Sequence, residues 1–168
     1  MIQEFYRVQI KKEAIKFSSA HMTVFPDGTK EPLHGHNYQV TLYVELLDAS
    51  LKNMVSFAEF KKALNSICER WDEKLLIAAK CPFYEVIKED AVELEFKLCG
   101  KRYVIPKDEI EFLQIENITT ELLAQNYCDQ FISKLEHAII PKIKSISIQI
   151  DESGGQGASF TWTNPKAS

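Results

Sequence analysis

Apolar and polar residues alternate along several stretches of the chain, the pattern of strands that bury one face. Residues 38–45 alternate in this way, and we expect them to form a half-buried strand. It recurs at residues 145–150 and 159–163, which predict two further strands joined by a loop over residues 152–158. A looser alternation over roughly residues 4–20 predicts a first strand that ends at His21.

Two other stretches repeat their apolar residues at helical spacing. The first covers about residues 57–71 and follows Ser56, which together with Glu59 fits a capping box. The second follows Thr119, a residue type that caps helix N-termini, and its apolar stripe runs to Leu135.

Residues that favour turns predict the structure of the segments between these elements. Prolines and an Asp-Gly pair predict a loop over residues 22–33. Residues 93–98 and 102–105 predict a hairpin, whereas we expect residues 78–91 to be irregular. The chain has no Gly/Ser-rich linker, so we predict one domain over residues 1–168. Its class is α+β, an antiparallel sheet with two helices packed on one face.

The composition narrows the class of protein. A net charge of -4 and a pI near 5.6 argue against nucleic acid as the main partner, since phosphate binding needs a basic surface. No apolar run approaches the length of a membrane span, and the charged, alternating start is unlike a signal peptide. The four cysteines form no C-x-x-C pair and predict neither a disulfide framework nor a structural zinc knuckle. We therefore expect a cytoplasmic protein.

His34-Gly35-His36 is the sharpest local motif. Residues two apart on a strand point to the same face, so both imidazoles can reach one ion, and Gly35 allows a close approach of backbone. His21 ends the preceding strand, and the loop can return the chain alongside it. Three neutral imidazoles suit Zn²⁺ and leave a fourth position open, as in catalytic zinc sites. On spacing alone, ordinary core or loop histidines remain the alternative, and His137 is given no function.

Residues 17–21 and 33–38 resemble the signature of the 6-pyruvoyltetrahydropterin synthase family, which also contains 6-carboxytetrahydropterin synthase of queuosine biosynthesis. The similarity continues, in the family's order, through four further segments: residues 54–57, 71–75, 119–121 and 150–153. The resemblance implies a tunnelling fold. In that fold the sheets of several subunits join into a barrel, here a hexamer or another trimer-based homo-oligomer, with active sites between subunits.

The resemblance also implies roles for individual residues. The family's zinc ligands match three histidines: His21, His34 and His36. Glu152 matches the glutamate that anchors the pterin ring, and a carboxylate can accept two parallel N–H bonds from that ring's edge. Hydroxyl residues lie near the pterin in the family, and the matching positions are Ser153, Thr119 and Thr120.

Two departures from the family pattern bear on the reaction. The common synthases carry a catalytic cysteine where this chain has Lys30, and no cysteine lies in residues 22–36. Their Asp-His pair after the first helix reads Asp72-Glu73 here, so the histidine of the proton relay is missing. Glu31, three residues before His34, resembles the variant members that replace the cysteine with glutamate, as in malaria parasites.

Those variants make 6-hydroxymethyl-7,8-dihydropterin, which sets the expected reaction. We predict a zinc-dependent lyase that cleaves the side chain of 7,8-dihydroneopterin, or of its triphosphate. Glu31 is the expected general base, and Asp72 orients or relays a proton. Three alternatives stay open: 6-pyruvoyltetrahydropterin synthase activity, 6-carboxytetrahydropterin synthase activity, and a catalytically silent homologue that binds zinc and pterin. Without the family resemblance, Glu31 would be interpreted as an ordinary charged loop residue next to a proline.

Overall fold

Residues 6–167 fold into a six-stranded sheet, a three-stranded sheet and two α-helices. We describe residues 6–167 of a computed structural model, so residues 4 and 5 of the predicted first strand lie outside the described part. The strands are β1 (Tyr6–His21), β2 (His34–Leu46), β3 (Lys74–Ala78), β4 (Tyr84–Glu89), β5 (Glu93–Leu98), β6 (Lys101–Pro106), β7 (Ile110–Leu113), β8 (Ile143–Ser153) and β9 (Gln156–Thr163). The helices are α1 (Phe57–Trp71) and α2 (Thr120–Lys134).

The large sheet has the order β7-β3-β1-β2-β8-β9. Its pairs β1–β2, β2–β8 and β8–β9 are antiparallel, as predicted. The pairs β1–β3 and β3–β7 are parallel, so the expectation of a wholly antiparallel sheet is corrected at this edge. The pattern did not reveal β3 because four of its five residues are buried, and a strand covered on both faces shows no alternation.

The small sheet has the order β4-β5-β6. It contains the predicted hairpin, with β5 and β6 paired in antiparallel register. The expectation that residues 78–91 are irregular was wrong, because β4 lies within them and pairs with β5. Most of β4 is exposed and its register shifts between Val86 and Lys88, so its sequence carries no regular alternation.

The connection between β8 and β9 is shorter than predicted. The strands reach Ser153 and resume at Gln156, so the expected loop over residues 152–158 is reduced to the turn Gly154-Gly155. Gly155 has a φ of +86°, which glycine adopts without strain. Gly157 belongs to β9, where a Cβ would lie 2.3 Å from the Ile150 carbonyl oxygen. The glycines therefore mark close strand packing as well as a turn.

Both helices form where the apolar spacing predicted them. Ser56 caps α1, since its hydroxyl accepts the N–H of Ala58, and Thr119 caps α2 by accepting the N–H of Leu122. The apolar faces of α1 and α2 pack with one face of the large sheet in a continuous core. The α+β class is therefore confirmed. Among residues 6–167, every helix is too short or too polar to cross a bilayer.

Candidate functional site

The ladder between β1 and β2 brings the three predicted histidines together. It pairs His21 with His34 and Ser19 with His36, so all three imidazoles share the face on which the helices pack. The ring centroids of His21 lie 4.5 Å from His34 and 5.3 Å from His36, and those of His34 and His36 are 4.9 Å apart. One ring nitrogen from each lies within 4.8 Å of the others, so small rotations bring all three onto one ion.

Backbone carbonyls orient two of the rings. The Nδ1 of His21 lies 3.3 Å from the carbonyl oxygen of Ile118, and the Nδ1 of His34 lies 2.9 Å from that of Pro32. A carbonyl can only accept, so each Nδ1 carries the proton and each Nε2 keeps its lone pair. This arrangement of outer hydrogen bonds is typical of metal-binding histidines.

His21 has the properties of a neutral ligand. It is 2% exposed, and its Nε2 is buried without a hydrogen-bond partner among the described residues. Burial, with His34 and His36 nearby, lowers the pKa of His21 to about 4, so the imidazole is neutral at pH 7. A buried lone pair without a donor is the feature that a divalent metal ion satisfies. The three residues therefore fit a metal with nitrogen ligands, such as Zn²⁺.

Gly35 lies close to the neighbouring strand between the two histidines. A Cβ there would lie 3.0 Å from the carbonyl oxygen of Ser19 on the neighbouring strand, tighter than ordinary contacts. The absence of a side chain lets β1 and β2 approach at the row where the three histidines meet. This agrees with the close approach expected from the motif.

The segment before α2 anchors the loop over residues 22–33. The side chain of Asn117 accepts the N–H of Val24 and donates to the carbonyl of the same residue. The hydroxyl of Thr23 donates to the carbonyl oxygen of Ile118, which also faces His21. Sequence reasoning missed these contacts because the partners are far apart in the chain and neither has a distinctive motif.

Glu31 lies beside the histidines, as its spacing from His34 predicted. Its Oε2 is 4.0 Å from the Nε2 of His34, and 40% of its side chain is exposed. Its backbone N–H donates to the carbonyl of Thr23, which holds the end of the loop in place. The carboxylate can therefore act on a group bound at the histidine cluster.

The small sheet, together with Phe83 just before it, contacts the loop that carries Glu31. The ring of Phe83 packs so closely on Gly28 that a Cβ added to this glycine would lie only 3.0 Å from the ring. The ammonium of Lys30 lies 5.3 Å from the centroid of the Tyr103 ring and also donates to the carbonyl of Glu31. Residues 78–116 thus have a structural role at the site that their sequence did not indicate.

Glu152 joins the same face from β8. Asp151 pairs with Gln39, so continuing this register places Glu152 level with Tyr38, on the side of the histidines. Burial first, and then the charges of Glu152 and Glu31, raise the pKa of Tyr38. Glu152 and Glu31 therefore both lie close enough to Tyr38 for their charges to affect its hydroxyl.

The two threonines begin α2, next to the Ile118 carbonyl that faces His21. The hydroxyl of Thr119 caps the helix, and the hydroxyl of Thr120 lies 3.5 Å from the Glu121 carboxylate. Their backbone is therefore at the site, while their hydroxyls are engaged within the first turn of α2.

Asp72 and Ser153 lie elsewhere in the chain. The carboxylate of Asp72 accepts the N–H of Ser18 at 2.6 Å. Ser18 precedes His21 by three residues on β1, a separation of about 10 Å at the rise of a strand. Ser153 lines a cleft with Asn37, on the opposite face of the sheet from the histidines. Within one chain, the structure brings Glu31 and Glu152 to the histidines but not Asp72 or Ser153.

Solved structures share this fold. The 6-pyruvoyl tetrahydropterin synthase of Plasmodium vivax matches with a TM-score of 0.87 and 19% identity, over 96% of this chain and 99% of that one. The Plasmodium falciparum enzyme matches with a TM-score of 0.86 and 21% identity over the same shares. A P. vivax variant with alanine in place of a glutamate described as a catalytic residue has a TM-score of 0.86 and 18% identity, again over 96% and 99%. These matches confirm the tunnelling fold.

Sequence comparison gives the family. Over 150 residues the chain is 33% identical to a Methanocaldococcus jannaschii protein named "Putative 6-carboxy-5,6,7,8-tetrahydropterin synthase", covering 87% of this chain and 89% of that protein. A family model described as 6-pyruvoyl tetrahydropterin synthase matches residues 9–162. The resemblance seen in the histidine motifs is thus confirmed over nearly the whole chain, and the protein belongs to the 6-pyruvoyl tetrahydropterin synthase family.

Proposed function

We propose that the protein is a zinc-dependent pterin synthase acting on 7,8-dihydroneopterin triphosphate, with Glu31 as general base. The observation that carries this proposal is the three-histidine cluster in a chain that matches the 6-pyruvoyl tetrahydropterin synthase family model over residues 9–162. Family membership and the name of the M. jannaschii relative favour a synthase reaction, yielding a 6-pyruvoyl or 6-carboxy tetrahydropterin. This differs from the side-chain cleavage that the sequence led us to expect.

Each group has a distinct task in this proposal. His21, His34 and His36 hold Zn²⁺, which acts as a Lewis acid on the side-chain hydroxyls of the substrate. Glu152 accepts two N–H bonds from the pterin ring and so orients it. Glu31 removes a proton from a side-chain carbon, the task that a cysteine performs in the common synthases.

A glutamate in this role has support from a structural neighbour. One solved P. vivax structure is a variant in which a glutamate described as catalytic is replaced by alanine. That protein shares the fold of this chain, so the fold accommodates catalysis by a glutamate. The nearby loop of this chain offers no cysteine as a competing base, since residues 22–36 contain none.

Cleavage of the side chain to 6-hydroxymethyl-7,8-dihydropterin is the second candidate. The specific observation in its favour is that Glu31, rather than a cysteine, lies beside His34. Both reactions begin with a base beside a polarised hydroxyl, so the position of Glu31 is compatible with either. If no product forms, the remaining interpretation is a catalytically silent homologue that binds zinc and pterin.

A homo-oligomer, hexameric or otherwise trimer-based, completes the proposed site. Asp72 and Ser153 lie away from the histidines in one protomer, while Thr119 and Thr120 adjoin them. In an assembly with sites between subunits, the first two would reach the substrate held by a neighbouring chain. The cytoplasm stays the predicted location, and residues 1–168 the predicted single domain.

The product assay separates these reactions. Zinc-loaded protein is incubated with 7,8-dihydroneopterin triphosphate and, separately, with 7,8-dihydroneopterin, and the pterins formed are identified by mass spectrometry. A synthase converts only the triphosphate, to a 6-pyruvoyl or 6-carboxy product. A 6-hydroxymethyl product would identify the second candidate instead, and pterin binding without any product would refute both.

A further inference from the structure

The loop that carries Glu31 folds back on itself, and its returning arm is formed by residues 28–31. Lys30 in this arm forms an antiparallel bridge with Val24, and the N–H of Glu31 donates to the carbonyl of Thr23. Neighbouring side chains of an extended segment point in opposite directions. Because the Glu31 carboxylate points towards the histidine cluster, the side chain of Lys30 leaves the arm on the other side.

On that other side the returning arm lies against the small sheet. A Cβ added to Gly28 would lie 3.0 Å from the ring of Phe83, the residue just before β4. The Sγ of Cys99, in the turn between β5 and β6, lies 3.9 Å from the carbonyl oxygen of Thr29. These contacts bring the arm against the small sheet at the two residues that precede Lys30.

Lys30 continues this series of contacts with a charged one. Its ammonium lies 5.3 Å from the centroid of the Tyr103 ring, within the range of cation–π attraction. It also donates to the carbonyl oxygen of Glu31 at 2.9 Å. The Tyr103 ring stacks on Phe96 with centroids 5.3 Å apart, and Phe96 is fully buried. The end of the Lys30 side chain is therefore held both by a well-packed ring and by the backbone of the residue that carries the carboxylate.

The Glu31 carboxylate has no comparable support of its own. It lies 4.0 Å from the Nε2 of His34, and no hydrogen bond holds its oxygens among residues 6–167. Its position therefore depends on the backbone of the returning arm. A rotation of this arm that turned Glu31 away from the histidines would also pull Lys30 off the Tyr103 ring, so the contact on one side restrains the side chain on the other.

We propose that Lys30 is a positioning residue for Glu31: its ammonium, held on the Tyr103 ring, keeps the Glu31 carboxylate turned towards the histidine cluster. The inference rests on the proposed function, in which Glu31 is the general base. It gives the small sheet a part in catalysis. It also assigns a role to the lysine that stands where the common synthases carry a cysteine.

Lys30→Met tests the proposal, because methionine keeps an unbranched side chain and removes the charge. Zinc-loaded full-length protein is assayed with 7,8-dihydroneopterin triphosphate and with 7,8-dihydroneopterin. We expect kcat to fall about 10-fold while KM and zinc content stay nearly unchanged, since a displacement of about 1 Å at a catalytic group costs up to about 10²-fold in rate. Tyr103→Leu should reproduce this loss, whereas Tyr103→Phe should retain most of the turnover, because a phenyl ring also attracts a cation.

A double variant separates positioning from a general loss of structure. In the Glu31→Gln background, Lys30→Met should lower the residual turnover no further, because the carboxylate that it positions is already absent. Lys134→Met is the matched control: it removes the same charge at the last residue of α2 and should leave both turnover and zinc content at wild-type levels.

Wild-type kcat in Lys30→Met would overturn the proposal. Loss of zinc from that variant would also overturn it, as would an equal further loss of turnover in the Glu31→Gln background. Tyr103→Phe as impaired as Tyr103→Leu would exclude the ring as the partner of the ammonium. If wild type converts neither substrate, the proposed function fails, and the positioning role fails with it.

Discussion

His21 and His34 face each other across β1 and β2, with ring centroids 4.5 Å apart and both Nδ1 atoms held by backbone carbonyls. The whole loop over residues 22–33 lies between them in the chain. Their pairing makes the histidine cluster a property of the strand register, since a slip of one residue would send either side chain to the opposite face.

Metal binding depends on this pairing. We expect protein purified without chelators to contain about one zinc ion per chain, the capacity of a single three-histidine site. His36→Ala should remove most of that metal, while His137→Ala, outside the histidine cluster, should retain it. Elemental analysis of the three proteins measures this directly, and wild-type protein without stoichiometric metal would contradict the site.

Removing the metal should also lower the stability of the protein. A ligand present at 100 times its dissociation constant stabilises the state that binds it by about 2.7 kcal/mol. Chelation should therefore lower the melting temperature of wild type, and adding zinc back should restore it. His36→Ala should show no such response, and a chelator shift of equal size in that variant would place the bound metal elsewhere.

Glu31→Gln should abolish proton removal and leave metal binding intact. The amide keeps the shape of the side chain but cannot act as a base, so turnover should fall by about 10²-fold or more. Steady-state kinetics and zinc analysis on the same preparation measure both quantities. Glu136→Gln, beyond the far end of α2, should retain wild-type turnover. Near-normal turnover of Glu31→Gln would remove Glu31 from the mechanism.

Gly35→Ala should weaken the metal site through the backbone. The added methyl would meet the carbonyl oxygen of Ser19 at 3.0 Å and push β1 and β2 apart at the histidine row. We expect a loss of about 1–3 kcal/mol in the free energy of unfolding, together with weaker zinc binding. Gly154→Ala is the control, since nothing lies within 4 Å of its added methyl. Denaturant titration and zinc competition compare the two variants. Equal stability and equal zinc affinity would show that the close approach of the strands does not require glycine at position 35.

Subunit mixing tests whether Asp72 serves a neighbouring chain. Glu31→Gln and Asp72→Asn should each be poorly active alone. In a 1:1 mixed homo-oligomer, about a quarter of sites between subunits would combine a native Glu31 with a native Asp72, and activity should recover to that extent. Activity is measured after the two variants are unfolded and refolded together. Mixed oligomers no more active than either parent would show that Asp72 does not act across an interface.

Local patterns were sufficient to predict α1, α2, the β5–β6 hairpin and the alternating strands of the large sheet. Their periodicity reflects which side of each element is buried, and that information is carried by neighbouring residues. The same patterns failed for β3, where burial on both faces erases alternation, and for β4, where exposure and a register shift remove it. The parallel edge of the sheet was missed for this reason.

The histidine triad and Glu31 were identifiable from residue types at close spacing, together with the family resemblance. The carbonyls of Ile118 and Pro32, the unpaired hydroxyl of Tyr38 and the separation of Asp72 from the histidines were not. Every peptide has a carbonyl and many tyrosines are buried, so the amino-acid sequence alone does not reveal these features. They arise only when folding brings distant segments into contact and leaves some buried polar groups without a partner.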